Sequence, residues 1–152
     1  MLSKKSKYAL KAMMVLAKEY GQGPVLISDM ARRESIPHKF LELILLELKH
    51  QGLLQSRKGK GGGYFLGRDP SQISVGHIVR ILDGSIAPLP CVSKTAYMRC
   101  LECRDERSCG LRIVMKEVRD ATAKIMDSTS LADMLKQVEA VVSGKESLSF
   151  AI

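Results

Sequence analysis

All four cysteines of the chain fall within one nineteen-residue stretch, CVSKTAYMRCLECRDERSC, at positions 91, 100, 103 and 109. The spacing is C-x8-C-x2-C-x5-C. Pro88 and Pro90 precede it, and the polar run Arg104 to Ser108 lies inside it. Both argue for an irregular loop, whose backbone is not committed to a ladder and is free to wrap a metal centre. No run of eighteen apolar residues exists, so no membrane span is expected. The start, MLSKKSKYAL, carries charges and no uninterrupted apolar segment of the secretory kind, because Lys11 breaks it. The expected compartment is therefore the reducing cytoplasm, where clustered cysteines serve metal or redox chemistry rather than disulfides.

The net charge is +8 over 152 residues, and its distribution is uneven. Residues 1–68 hold thirteen Lys/Arg against five Asp/Glu; residues 69–152 hold eleven of each. An excess confined to the front half points to a polyanionic partner on that side, the alternative being a chance imbalance of a solvated surface.

The apolar pattern predicts a mainly helical chain with a small β-hairpin. A helix is expected from about Lys4 to Glu19, with Tyr8, Ala9, Ala12, Met13, Leu16 and Ala17 on one stripe. Gly21-Gln22-Gly23-Pro24 stops it. A short helix, Asp29 to Glu34, opened by Ser28 or a neighbour, breaks at Ser35-Ile36-Pro37 and is followed by a second, His38 to Gln51, ended by Gly52. Two short helices so joined form a helix-turn-helix pattern. In the second, Leu41, Ile44, Leu45 and Leu48 should pack inward while His38, Lys39, Glu42 and Lys49 face out. Leu43 and Leu46 are also apolar, which predicts cover on more than one side. Leu53 to Lys58 and Tyr64-Phe65-Leu66 read as strands joined by Gly59-Lys60-Gly61-Gly62-Gly63. A helix-turn-helix followed at once by a glycine-rich, cationic hairpin is a winged helix. The glycine run is not a phosphate-binding loop of the G-x4-G-K-S/T type, since that spacing is missing and no helix starts there. Further helices are expected over Val75 to Leu82, Gly110 to about Asp127, and Leu131 to Val142. The 110–127 stripe is Leu111, Val114, Met115, Val118, Ala121, Thr122 and Ile125. The division expected is a winged helix-turn-helix domain over 1–82, the cysteine loop over 83–109, pairing helices over 110–142 and a loose polar tail over 143–152.

Lys7-Tyr8-Ala9-Leu10, Leu53-Leu54 with Gly59-Lys60-Gly61-Gly62-Gly63-Tyr64, Ile73-Ser74-Val75, the cysteine loop and Ser130-Leu131-Ala132-Asp133 together resemble the IscR-like (Rrf2) family of transcription regulators. The resemblance covers about residues 2 to 140. It implies a homodimer that binds double-stranded DNA, pairs through the 110–127 helix and, in many members, holds an iron–sulfur cluster with three cysteines. Cys91, Cys103 and Cys109 match those three. A histidine can serve as fourth ligand three residues after the last cysteine; here that position is Arg112, which cannot ligate, so Cys100 is the nearest replacement, the alternative being a ligand from the partner chain as in some relatives. A 2Fe-2S cluster is favoured over 4Fe-4S. No enzymatic activity and no small-molecule substrate are implied.

Under that resemblance His38, Lys39 and Glu42 would meet base edges, Glu42 accepting from a cytosine amino group. Arg57, Lys58 and Lys60 would reach a minor groove or phosphates, and Lys4, Lys5 and Lys7 would hold phosphates. Thiolates are soft donors suited to iron–sulfur clusters or zinc. The nearby Lys94, Arg99, Arg104, Arg107 and Arg112 are expected to favour the thiolate form. Structural zinc on four thiolates, a Cys100/Cys103 redox pair, and plain free cysteines are the competing readings.

Overall fold

The computed structural model describes residues 1–144; the expected loose tail lies outside the described residues from position 145 onward. Six helices and one antiparallel hairpin make up the described chain. Helix α1, Lys4–Lys18, starts where the Ser3 hydroxyl accepts from the Ser6 amide at 3.0 Å. Its inward stripe, Ala9, Ala12, Met13, Leu16 and Ala17, is buried as the periodicity predicts. Helix α2, Ile27–Glu34, begins earlier than expected. Ser28 falls inside its first turn, and Leu26 occupies the cap without a side-chain bond. Ser35, in the left-handed conformation at φ 54°, turns the chain so that Ile36 is buried. Helix α3, His38–His50, follows and completes the helix-turn-helix.

Strands β1, Leu54–Arg57, and β2, Gly63–Leu66, pair from Leu54↔Leu66 to Arg57↔Gly63. Val25, ahead of α2, bridges to Tyr64 in both directions at 2.8 and 2.9 Å, so the hairpin is anchored to the α1–α2 connection. Helix α4, Val75–Asp83, is capped by Ser74. Helices α5, Gly110–Ser128, and α6, Leu131–Val142, close the described chain, α6 opening with a reciprocal Ser130/Asp133 capping box. Three short 3-10 turns, Pro70–Gln72, Pro90–Val92 and Glu106–Ser108, lie within stretches that read only as loop in the sequence.

The core joins α1, α3, the hairpin and α4, and α6 returns to it. Leu131 is fully buried there, with Met134 and Leu135 packed against it. The return is fixed by main-chain bonds: Leu131 N donates to Ile73 O at 3.0 Å and Val75 N to Thr129 O at 2.9 Å. Helix α5 has no buried residue.

Among the described residues, the cover expected over Leu43 and Leu46 is not present. α3 buries one stripe, Leu41, Ile44, Leu45 and Leu48, while Leu43 is 65% and Leu46 40% exposed. One side is held by α1, through Phe40 edge-on to Tyr8 and Glu47 paired with Lys5. The other is held by β1, through Lys49 and Ser56. Both leucines lie opposite the buried stripe, where no element of the described residues packs.

Candidate DNA interface and cysteine site

Helix α3 and the hairpin enclose an open groove of about 430 Å³, lined by Ser28, His38, Lys49, Ser56, Arg57, Lys58 and Tyr64 among others. The Lys49 ammonium donates to the Ser56 hydroxyl at 2.7 Å and ties the wing to α3. Burial, and then the Glu42 carboxylate, push the Tyr64 hydroxyl above the ordinary phenol range, so Glu42 lies electrostatically close to β2. The Arg57 guanidinium sits over the Phe65 ring at 5.8 Å. Lys58 and Lys60 are exposed at the tip.

Backbone geometry demands the glycines beneath that tip. A Cβ on Gly62 would stand 2.2 Å from Arg57 O. One on Gly63, at φ 140°, would stand 2.3 Å from Val25 O. The glycine run is thus required by the anchoring of the wing as well as by its turn.

The structure brings His38, Arg57 and Lys58 to one groove, with exposed Lys39 and Glu42 on the same helix. The N-terminal lysines are placed differently. Lys5 is paired with Glu47 at 2.5 Å, and Lys4 lies over the Tyr8 ring at 5.9 Å, while Lys7 is exposed. Ser28, Tyr64 and the two outward leucines were not singled out in the sequence. Ser28 reads there as a helix cap and the leucines read as core.

All four cysteines line one cavity of about 140 Å³, together with Leu89, Glu102, Leu111 and Arg112. Cys91 lies in the Pro90–Val92 turn and is 8% exposed. Cys100 is exposed, and Cys103 and Cys109 are half-buried. Cys103 N donates to Cys100 O at 3.2 Å, and Cys109 forms the N-cap of α5. Among the described residues no three His, Cys, Asp or Glu side chains converge to metal-ligating range. The thiols therefore share a cavity without being drawn together. Their softness and common opening fit a thiophilic metal or cluster.

The expectation that loop cations acidify the thiols fails at Cys103. Burial raises this thiol, and Cys109, Cys100 and Glu106 raise it further; Arg99 alone of the five cations pulls it down, and it does not prevail. Three of the others have partners elsewhere. Lys94 lies 3.8 Å from Asp120, Arg107 3.5 Å from Asp105, and Arg112 donates to Cys91 O at 3.3 Å.

Two arginines of α5 hold the turn that carries Cys91. Arg112 donates to the Cys91 carbonyl, and Arg119, only 12% exposed, donates to the Val92 carbonyl at 2.6 Å. Farther along α5, Asp127 accepts two bonds from Arg80 of α4, at 2.5 and 2.9 Å. One helix thus grips the cysteine loop at one end and α4 at the other. Its outward stripe, Leu111, Val114, Val118 and Ile125, is exposed. Val118 also borders an apolar cavity of about 340 Å³ with Leu2, Val79, Ile86, Pro88 and Met126.

Known proteins share this arrangement. A family described as an iron-dependent transcriptional regulator, Rrf2, matches residues 2–137. An rrf2-like HTH-type transcriptional regulator of Rhodobacter capsulatus is 43% identical, over 89% of this chain and 92% of that one. The HTH-type regulator CymR of Bacillus subtilis is 32% identical, over 88% of each. The solved structure of CymR, the global cysteine regulator of B. subtilis, superposes with a TM-score of 0.76 over 90% of this chain and 97% of that one. The structure of T. potens IscR superposes with a TM-score of 0.74 at 29% identity, over 99% of this chain and 94% of that one. With its winged helix, its cysteine loop and a match that spans nearly the whole described chain, the protein belongs to the Rrf2 family of DNA-binding transcription regulators.

Proposed function

We propose that the protein is a cytoplasmic homodimer whose affinity for promoter DNA is set by an iron–sulfur cluster in the Cys91–Cys109 loop. The observation that carries this reading is that every cysteine of the chain lines one small cavity. The iron-dependent description of the matching family supports it. Cys91, Cys103 and Cys109 would hold the group, with Cys100 as the fourth ligand. When bound, it supplies a centre whose charge and integrity respond to iron supply, oxidants or nitric oxide.

The chain's own residues do the rest. Tying Cys100, Cys103 and Cys109 to buried Cys91 removes the loop's freedom and favours one arrangement of the Pro90–Val92 turn. Arg112 and Arg119 carry the position of that turn to α5, and Arg80–Asp127 carries α5 to α4. The exposed stripe on α5, with apolar residues at a, d, a and a of a heptad pattern from Leu111 to Ile125, suits a second copy of the same helix. A dimer reads two half-sites at fixed separation, so a small change in how α5 meets its twin alters the spacing of the two α3 helices and hence affinity.

Anaerobic purification with iron and acid-labile sulfide quantified, followed by titration of duplex DNA before and after cluster removal, tests this reading. Coloured protein whose DNA affinity changes on removal is expected. Identical affinity in both states would end the sensing account and leave the DNA reader standing. Cys100→Ser should lower iron and sulfide content if Cys100 is a ligand. The exposure of Cys100 and the likeness to CymR favour a second reading, in which the same regulator senses through thiols without a cluster or holds zinc. Colourless protein, metal-free or containing zinc, is its signature.

A further inference from the structure

The outward face of α3 carries one continuous stripe, Lys39, Leu43, Leu46 and His50, at i, i+4, i+7 and i+11, and all four residues are exposed. A cation begins it, a histidine ends it, and the two leucines between them are exposed among the described residues. Their position is opposite the core stripe and beside exposed Glu42, on the helix that a helix-turn-helix presents to the major groove. Solvent-facing leucines at the middle of a basic reading surface call for an apolar group inside a polar, anionic partner. The major groove offers one: the C5-methyl of thymine. Charge supports this occupant over a protein partner, since exposed Lys39 lies on the stripe and exposed Lys49, on the same helix, lines the adjoining groove with Arg57 and Lys58.

We propose that Leu43, with Leu46 behind it, is a specificity-determining residue that selects thymine by packing on its methyl group, while His50 meets the flanking backbone. Leu43 reaches farther into solvent, at 65% against 40%, and lies in the N-terminal half of α3, the part that reaches base edges. Leu43 is therefore the principal contact. Glu42, one residue away and turned toward the wing, reads a neighbouring cytosine, so adjacent side chains distinguish the two pyrimidines. This inference deepens the DNA-reading half of the proposed function and does not depend on the cysteine loop.

The test uses the full-length protein, purified anaerobically, and a randomised duplex pool. Sequences enriched from the pool are resynthesised with deoxyuridine replacing thymidine at one position at a time, which deletes only the methyl group. Wild-type protein should lose about fourfold in affinity for each contacted methyl, the cost of exposing one buried CH₂-sized group. Leu43→Ala should bind the thymidine and deoxyuridine duplexes equally at the position Leu43 reads. At other positions it should keep the wild-type pattern. Leu43 is exposed and Ala favours helix, so the variant is expected to fold, and its circular dichroism and salt slope should match wild type. Equal losses in wild type and variant, or no loss in wild type, would overturn the proposal while DNA reading stands. Loss of dimerisation in Leu43→Ala would also overturn it, because the stripe would then face protein. Failure to enrich any sequence, with binding indifferent to salt, would overturn both the inference and the DNA-reading function beneath it.

Discussion

Arg80 of α4 grips Asp127 of α5 with both arms of its guanidinium, at 2.5 and 2.9 Å, across forty-seven residues of chain. The hydrogen bond from Arg80 holds the Asp127 carboxyl below the ordinary carboxylate range, against a smaller opposing effect of burial. A lowered pKa means stability that is present above the unfolded value of about 4 and lost as pH falls through the folded one. Asp127→Asn should cost about 0.5–1 kcal/mol near neutrality, since both side chains are partly exposed. Urea titrations at stepped pH check this: the gap between wild type and variant should be constant from pH 7 to 5 and close below about pH 4.

The wing depends on a backbone approach that only glycine permits. Gly63→Ala places a Cβ 2.3 Å from Val25 O at φ 140°. It should cost about 1–3 kcal/mol. Amide exchange should show the loss first at Val25 and Tyr64, whose mutual bonds anchor the hairpin, with the α1 and α4 amides little changed.

Lys58 and Lys60 are exposed at the wing tip and have no ion pair within the described residues. Replacing both by Ala should weaken binding to every duplex alike. The slope of log affinity against log salt should fall by about 1.8 per chain if each neutralises one phosphate. An unchanged slope would remove the wing from the interface. Glu42→Ala should act otherwise, shifting base preference by about 1–3 kcal/mol at one position and leaving non-specific affinity near its original value.

Val118 lies on the exposed stripe of α5, beside the cavity that Leu2 and Met126 help to line. In a two-fold seam each substitution counts twice. Val118→Asp should weaken self-association by at least about a hundredfold. Sedimentation across a dilution series reads this directly. A dimer that tolerates the carboxylate would place the seam elsewhere.

Where periodicity alone decides, the sequence and the structure agree. The inward stripes of α1 and α3, the hairpin and the start of α5 all follow from apolar spacing and from the glycine and proline breaks. What spacing leaves open is the partner of a stripe. The stripe that begins at Leu131 predicts a buried face and groups α6 with α5. The structure places that face on α1, because the Ile73–Leu131 and Val75–Thr129 main-chain bonds route the chain back. Leu43 and Leu46 show the converse: hydrophobicity marks them as core, and geometry leaves them facing water. At the cysteine loop, spacing identifies the four thiols that share a cavity. It does not reveal that Lys94, Arg107 and Arg112 are engaged with Asp120, Asp105 and the Cys91 carbonyl, nor that burial and then Cys109, Cys100 and Glu106 raise the Cys103 thiol.

The burial of Leu131 also imposes an order on synthesis. A nascent chain that has emerged only through the cysteine loop holds the residues of α1 to α4 and the hairpin, and lacks Leu131, Met134 and Leu135 of their core. Its recognition helix is displayed on an unfinished domain. A ribosome must translate through α6, and release it from the tunnel, before that domain is closed. A premature stop anywhere in α5 would therefore leave the helix-turn-helix core without Leu131, Met134 and Leu135.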